Sequence, residues 1–285
     1  MVESRPMARG NGDGWGPVGL LLALAAALAP ACGSAPKNDL FDRVEYGGGE
    51  SSTGGGGSAA GGKAAGGAKA EAGSKATGGG GSMPSAACER ACAGIGTCAG
   101  DVCVITCDAA HPCAERVKCP DGVGCRVECA GPAACNGGVD CAAATTCDVH
   151  CATENSCVGE VSCGQSASSC VVRCDGKGSC SHAIGCDAAK CDVRCKGVDS
   201  CAGGVDCGEH SARCVVACSG SGSCQGPLES AAPDTRVSCS PGTCSESITC
   251  GGTVCSVNCS DQACAPGVCC RAADCQLKGA ADTCE

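Results

Sequence analysis

The chain has 285 residues, of which 47 are Gly and 37 are Cys, and its only aromatic residues are Trp15, Phe41 and Tyr46. That excludes a core of large apolar side chains over the C-terminal two-thirds, and cysteine at this density marks a disulfide scaffold rather than a protein of a reducing cytosol. Up to Ala87 the seven basic and seven acidic residues cancel, whereas from Cys88 onward 13 basic face 23 acidic residues. An acidic repeat region without aromatics lacks both the positive charge and the stacking platforms of a nucleic-acid binder.

The first element is a targeting segment. Arg5 and Arg9 precede an apolar run over residues 18–28, and Ala29-Pro30-Ala31-Cys32 follows. The run is too short for a bilayer-spanning helix, which needs about 20 residues, but it suits the core of a signal peptide over residues 1–31. Its ending resembles a bacterial lipoprotein signal, in which the cysteine becomes the lipidated first residue. In that family a Leu is preferred three residues before the cysteine. Here Leu28 is four before, and Ala29-Pro30-Ala31 also fits an ordinary cleavage site, which is the alternative. Setting Cys32 aside leaves 36 cysteines, an even number, so Cys32 is the one thiol without need of a protein partner and is the candidate lipidation site.

Residues 32–87 then form a tether of Gly, Ala and Ser with scattered Lys63, Lys69 and Lys75. Such a composition buries too little apolar surface to offset its conformational entropy and predicts disorder. A flexible coil of this length has a root-mean-square reach of roughly 40 Å.

Residues 88–285 are a repeat of about 22 residues. The unit is C-x-V-x-C-x5-C-x-x-x-V-x-C, with its four cysteines named a, b, c and d in order. It starts at Cys103 and recurs at Cys125, Cys147, Cys170, Cys191 and Cys214, at Thr235 in place of a cysteine, and at Cys255. A shortened copy opens the array at Cys88 and a fragment closes it at Cys275. Between a and b stands Ile105, Val127, Val149, Val172, Val193, Val216, Val237 or Val257, always β-branched. Two residues before d stands Val117, Val139, Val161, Ile184, Val205, Leu228, Ile248 or Val268, always aliphatic. In C-x-V-x-C the cysteines and the Val alternate onto one face of a strand, and the residues between them face water. The V-x-C before each turn is a second short strand. One unit cannot bury its own apolar face, but stacking the units about 4.8 Å apart buries all of them. The predicted fold is therefore all-β: a disulfide-rich parallel β-solenoid of about eight coils, roughly 40 Å long, with atypical end segments as caps.

Strand length constrains the disulfides. Positions a and b are four residues and so roughly 13 Å apart, beyond the Cα separation of about 7 Å that a bridge tolerates. Cysteines across a turn can meet: b with c, and d with the next a. In the sixth full unit d is Ser230 and the next a is Thr235. The two cysteines lost together are the two that this scheme joins. The scheme predicts nine b–c bridges: Cys92–Cys98, Cys107–Cys113, Cys129–Cys135, Cys151–Cys157, Cys174–Cys180, Cys195–Cys201, Cys218–Cys224, Cys239–Cys244 and Cys259–Cys264. It predicts seven d–a bridges: Cys119–Cys125, Cys141–Cys147, Cys163–Cys170, Cys186–Cys191, Cys207–Cys214, Cys250–Cys255 and Cys270–Cys275. By position the remaining four pair as Cys88–Cys103 and Cys269–Cys284. Pairing between equivalent positions of adjacent coils is the alternative, since strand spacing also suits a disulfide.

Other chemistry finds little support. Thiolate clusters use closer spacings than the x3 and x5 that dominate here. His111, His150, His182 and His210 occupy four different places in the repeat, so stacking does not gather them. Gly137-Gly138-Val139-Asp140 and Gly203-Gly204-Val205-Asp206 are similar to calcium-binding solenoid turns, but the nine-residue period is missing. No coil carries the long excursion that would build a catalytic cleft. The scaffold resembles the disulfide-lined β-helices of insect antifreeze proteins, yet it lacks their ranks of T-x-T.

In organisation the whole chain is similar to the cysteine-rich repeat lipoproteins of Gram-negative bacterial surfaces: a lipoprotein-like signal, a Gly/Ser/Ala stalk and a solenoid head. The resemblance implies a non-enzymatic structural, adhesive or protein-binding role. It also implies membrane attachment through a lipid anchor, a protein or cell-surface partner, and no cofactor. Gly33 after Cys32 differs from the Asp that marks inner-membrane retention in some of these bacteria, which implies the outer membrane or cell surface. Metal-thiolate binding outside the cytoplasm and a β-helix enzyme are the alternatives.

Overall fold

A computed structural model describes residues 83–264 and 267–284; the signal segment, Cys32 and nearly all of the tether lie outside the described residues. The described residues form a parallel β-solenoid of about eight turns in which strands alternate between two sheets. The longer strands carry the C-x-V-x-C positions: β2 (Val102–Cys107), β4 (Gly124–Cys129), β6 (Thr146–Cys151), β8 (Cys170–Cys174), β10 (Lys190–Cys195), β12 (Arg213–Cys218), β14 (Asp234–Cys239) and β16 (Val254–Cys259), with the closing fragment on β18 (Asp274–Lys278). With β1 (Thr97–Ala99) they make a ten-stranded sheet. The V-x-C segments make an eight-stranded sheet: β3 (Val117–Lys118), β5 (Val139–Asp140), β7 (Val161–Cys163), β9 (Ile184–Cys186), β11 (Val205–Cys207), β13 (Leu228–Ser230), β15 (Ile248–Cys250) and β17 (Val268–Cys270).

Register is kept from coil to coil. Cys147, Cys170, Cys191 and Cys214 are successive Cα partners, as are Val149, Val172, Val193 and Val216. The reason is the period of two: a one-residue slip would turn every Val and Cys outward. Burial follows suit. All sixteen aliphatic positions of the two strand types are buried, while Arg126, Glu128, Asp148, His150, Asp192 and Arg194 alternate with them toward solvent. The interior is thus two columns of β-branched and aliphatic side chains flanked by sulfur.

The turns add a feature that the spacing alone conceals. Cysteine c has a positive φ in six coils, at Cys135, Cys157, Cys180, Cys201, Cys224 and Cys244, between 52° and 56°. This left-handed conformation is unfavourable for an L-residue. Here it reverses the chain and aims the side chain inward at cysteine b. Immediately before c lies a buried small residue, Ser156, Ser179, Ser200, Ser223 or Thr243. Ser156, Ser179 and Ser200 donate from Oγ to the carbonyl three residues earlier, at 2.7, 2.7 and 2.8 Å, and Thr243 donates likewise at 2.7 Å. Each closes the tight turn from within. The turns of neighbouring coils also press together: a Cβ on Gly197 would collide with the carbonyl oxygen of Gly176.

The ends differ from the coils. The first segment is not a shortened coil but helix α1 (Ala86–Cys92), with Ser85 as N-cap accepting from the Cys88 N–H at 3.2 Å. Beyond it, β1 runs antiparallel to β2 and covers that edge of the ten-stranded sheet. At the other end the last residues fold back onto β17. The Val268 N–H donates to the Ala281 carbonyl and the Thr283 N–H to the Val268 carbonyl. Among the described residues no helix is long and apolar enough to cross a membrane.

Candidate functional site

The residues that define this molecule are its paired cysteines, and the two strand types bring them together at the two corners of each coil. At the b–c corner the structure bridges Cys107–Cys113, Cys129–Cys135, Cys151–Cys157, Cys174–Cys180, Cys195–Cys201, Cys218–Cys224, Cys239–Cys244 and Cys259–Cys264, with Cα separations of 5.4 to 6.2 Å. At the d–a corner it bridges Cys119–Cys125, Cys141–Cys147, Cys163–Cys170, Cys186–Cys191, Cys207–Cys214, Cys250–Cys255 and Cys270–Cys275, at 5.7 to 6.2 Å. Cys269–Cys284 ties the returning C-terminal segment to β17.

The N-terminal pairing requires a correction. In place of Cys92–Cys98 and Cys88–Cys103, the structure has Cys88–Cys98 and Cys92–Cys103, with Cα separations of 6.0 and 5.5 Å. The cause is α1. On a helix the C-x3-C spacing sets Cys88 and Cys92 one turn apart on the same buried face, instead of 13 Å apart along a strand. Both then reach the β1–β2 hairpin, where Cys98 and Cys103 are direct neighbours. The bond partners are exchanged, and all four cysteines remain bridged.

Successive bridges touch. Cys119 Sγ lies 3.3 Å from Cys141 Sγ. Trios such as Cys119, Cys125 and Cys141, or Cys151, Cys174 and Cys180, have their sulfurs within 4.8 Å of one another. Each of these trios is one whole bridge and one sulfur of its neighbour, so in the bridged protein it has no thiolate to give a metal ion.

One corner carries hydroxyls instead of sulfur. Ser230 Oγ and Thr235 Oγ1 are 2.7 Å apart, and Thr235 Oγ1 donates to the Ala232 carbonyl at 3.3 Å. Thr235 is fully buried. A cavity of about 10 Å³ lies beside the pair, lined by Val205, Val216, Leu228, Val237 and Ile248 among others. That is room for about one water. The hydroxyl pair therefore keeps the corner in register while filling less of it than a bridge would.

The charged side chains lie on the outer faces and turns, and many pair between coils. Asp148 on β6 accepts from Arg126 on β4 at 3.3 Å and from Arg173 on β8 at 2.7 Å. His150 reaches Glu128 through Nδ1 and Asp175 through Nε2, both at 3.0 Å. Farther along, Asp192 pairs with Arg194 at 2.7 Å, and Asp234 with Arg236 and Arg213 at 3.2 and 3.5 Å. The histidines are not gathered: His111 meets Asp108, and His210 meets Asp187. What sequence spacing missed is that His150 sits in register between two carboxylates of adjacent coils. Strand alternation places Glu128 beside it; Asp175 comes from the following turn and has no such signal. In the first b–c turn, Asp108 accepts from the His111 and Ala110 N–H groups at 2.7 and 2.9 Å. The His111 N–H, above all, holds its carboxyl below the usual carboxylate range.

Comparison with known proteins finds no family model, no curated protein and no solved structure that matches this chain. The disulfides themselves are consistent with an extracytoplasmic location.

Proposed function

We propose that the protein is a non-enzymatic lipoprotein of the outer membrane or cell surface, exported by a signal peptide over residues 1–31 and attached through a lipid on Cys32. Its solenoid serves a structural, adhesive or protein-binding role at the end of the Gly/Ala/Ser tether. The observation that carries this reading is how the coil positions are used. Inward positions hold bridges and aliphatic side chains, whereas Arg126, Asp148, His150, Arg173, Asp192 and Arg194 make a charged patch on the outer face of the middle coils. A charged sheet face suits contact with another surface, and the bridges suit survival outside the cell.

The experiment is expression of the full chain in a Gram-negative host fed a labelled fatty acid. The reading predicts label on the protein, recovery with outer membranes, and loss of both in Cys32→Ala. An unlabelled wild-type protein recovered in the soluble fraction would refute it.

A further inference from the structure

The two columns of bridges differ in continuity. The b–c column has a bridge in every coil from Cys107–Cys113 to Cys259–Cys264. The d–a column is interrupted once. Cys207, Ser230 and Cys250 are successive partners in one sheet, and Cys214, Thr235 and Cys255 in the other. Five bridges lie on one side of the break and two on the other.

Contact between bridges has a chemical consequence. Thiol–disulfide exchange needs a thiolate against a disulfide sulfur, and within a column the sulfurs of successive bridges already stand at that range, with 3.3 Å between Cys119 Sγ and Cys141 Sγ and Cys250 and Cys270 direct partners in register. Across the break the nearest d–a sulfurs are two strand spacings apart, about 9.6 Å, and no bridge spans that gap. Exposure adds direction. Cys275, in the last bridge of the column, is exposed, while Cys250, Cys207 and Cys214 are buried.

We propose that bridges in contact along a column exchange with one another, and that the Ser230–Thr235 pair is a break that keeps exchange begun at the exposed Cys270–Cys275 bridge from reaching the five inner d–a bridges. The attacking agent is a small thiol or another disulfide reductant. A phosphine cleaves Cys270–Cys275, becoming its oxide with oxygen taken from water, and leaves two thiols. The Cys270 thiolate then attacks Cys250 Sγ. The Cys250–Cys270 bond forms, the Cys250–Cys255 bond breaks, and Cys255 leaves as a thiolate that takes up a proton. The next column position is Thr235, whose hydroxyl offers no bond to exchange, so the thiol stops there. The Ser230–Thr235 hydrogen bond meanwhile preserves the corner's geometry.

The test is limited reduction of the native full chain by a water-soluble phosphine, raised until Cys275 becomes alkylated by a maleimide, followed by mass-spectrometric mapping without further reduction. The expected product has a crossed Cys250–Cys270 bridge with label on Cys255 and Cys275, and unlabelled Cys207 and Cys214. In Ser230→Cys/Thr235→Cys, which completes the column, crossed bridges extend to Cys207 and Cys214. The wild-type b–c column is an internal control that needs no variant: once Cys107–Cys113 is opened, crossed bridges spread along it. Label confined to native pairs in both columns would overturn the proposal. So would label on Cys207 or Cys214 of the wild type appearing together with that on Cys275.

Discussion

The corner formed by Ser230 and Thr235 and the corner beside it, Cys207–Cys214, are the same place in consecutive coils. Both join a short strand to a long one, and both keep the ladder: Leu228 follows Val205 in one column, and Val237 follows Val216 in the other. One is closed by a covalent bond and one by a 2.7 Å hydrogen bond beside a small cavity. The comparison separates two contributions that coincide elsewhere. Register and burial come from the alternating aliphatic strands. The bridges add resistance to unfolding, and a single coil can forgo one because its neighbours hold it on both sides.

The comparison breaks most severely if every bridge is removed. Full reduction is expected to unfold residues 83–284, seen as loss of the β-sheet circular dichroism signal. The interior has no aromatic residue, and its aliphatic columns alone offset too little chain entropy. Replacing one inner bridge, by Cys207→Ser/Cys214→Ser, should cost about 2 kcal/mol by the loop-entropy argument. Ser230→Cys/Thr235→Cys should gain up to a similar amount, both measured by denaturant unfolding. Val193→Ala, in the middle of the longer-strand column, removes buried methyl groups from a site held by both neighbours and should cost about 2 kcal/mol. Ser200→Ala leaves the Gly197 carbonyl without its side-chain donor and should cost about 1 kcal/mol. The smallest effect concerns pH. The Asp108 carboxyl is lowered in the folded chain by backbone N–H groups, above all that of His111. Its contribution to stability is thus present above the ordinary carboxylate range and is lost as pH falls through the lowered value. An NMR titration should find Asp108 ionising below the ordinary aspartate value, and a normal midpoint would contradict the turn described here.

Much of this architecture is visible in the residues themselves. The β-branched residue between a and b and the aliphatic residue before d place both strands in every coil. Four-residue strand length forbids an a–b bridge, and the joint replacement at Ser230 and Thr235 marks which corners are joined. The N-terminal cap escaped because the C-x3-C spacing puts both cysteines on one face of a helix as well as of a strand. The distinguishing signal was Arg90, which stands where the coils have Val or Ile, preceded by Ser85 and two alanines that favour a capped helix. The left-handed backbone at cysteine c escaped for a different reason. It is imposed by turn closure and the bridge, not by a residue that prefers it. The buried Ser156, Ser179, Ser200, Ser223 and Thr243 were legible in principle, as a small hydroxyl residue recurring directly before c. Nothing in the spacing pointed to Asp175 as a partner of His150, since it projects from a turn rather than from a strand.

The most direct test of the account is disulfide mapping, with a free-thiol count, on native full-length protein purified from outside the cytoplasm. The expected result is no free thiol, with Cys32 held by its lipid, Cys88 joined to Cys98 and Cys92 to Cys103, and unbroken b–c pairing along the coils. Reduced cysteines holding a metal, or bridges joining equivalent positions of adjacent coils in the untreated protein, would contradict it.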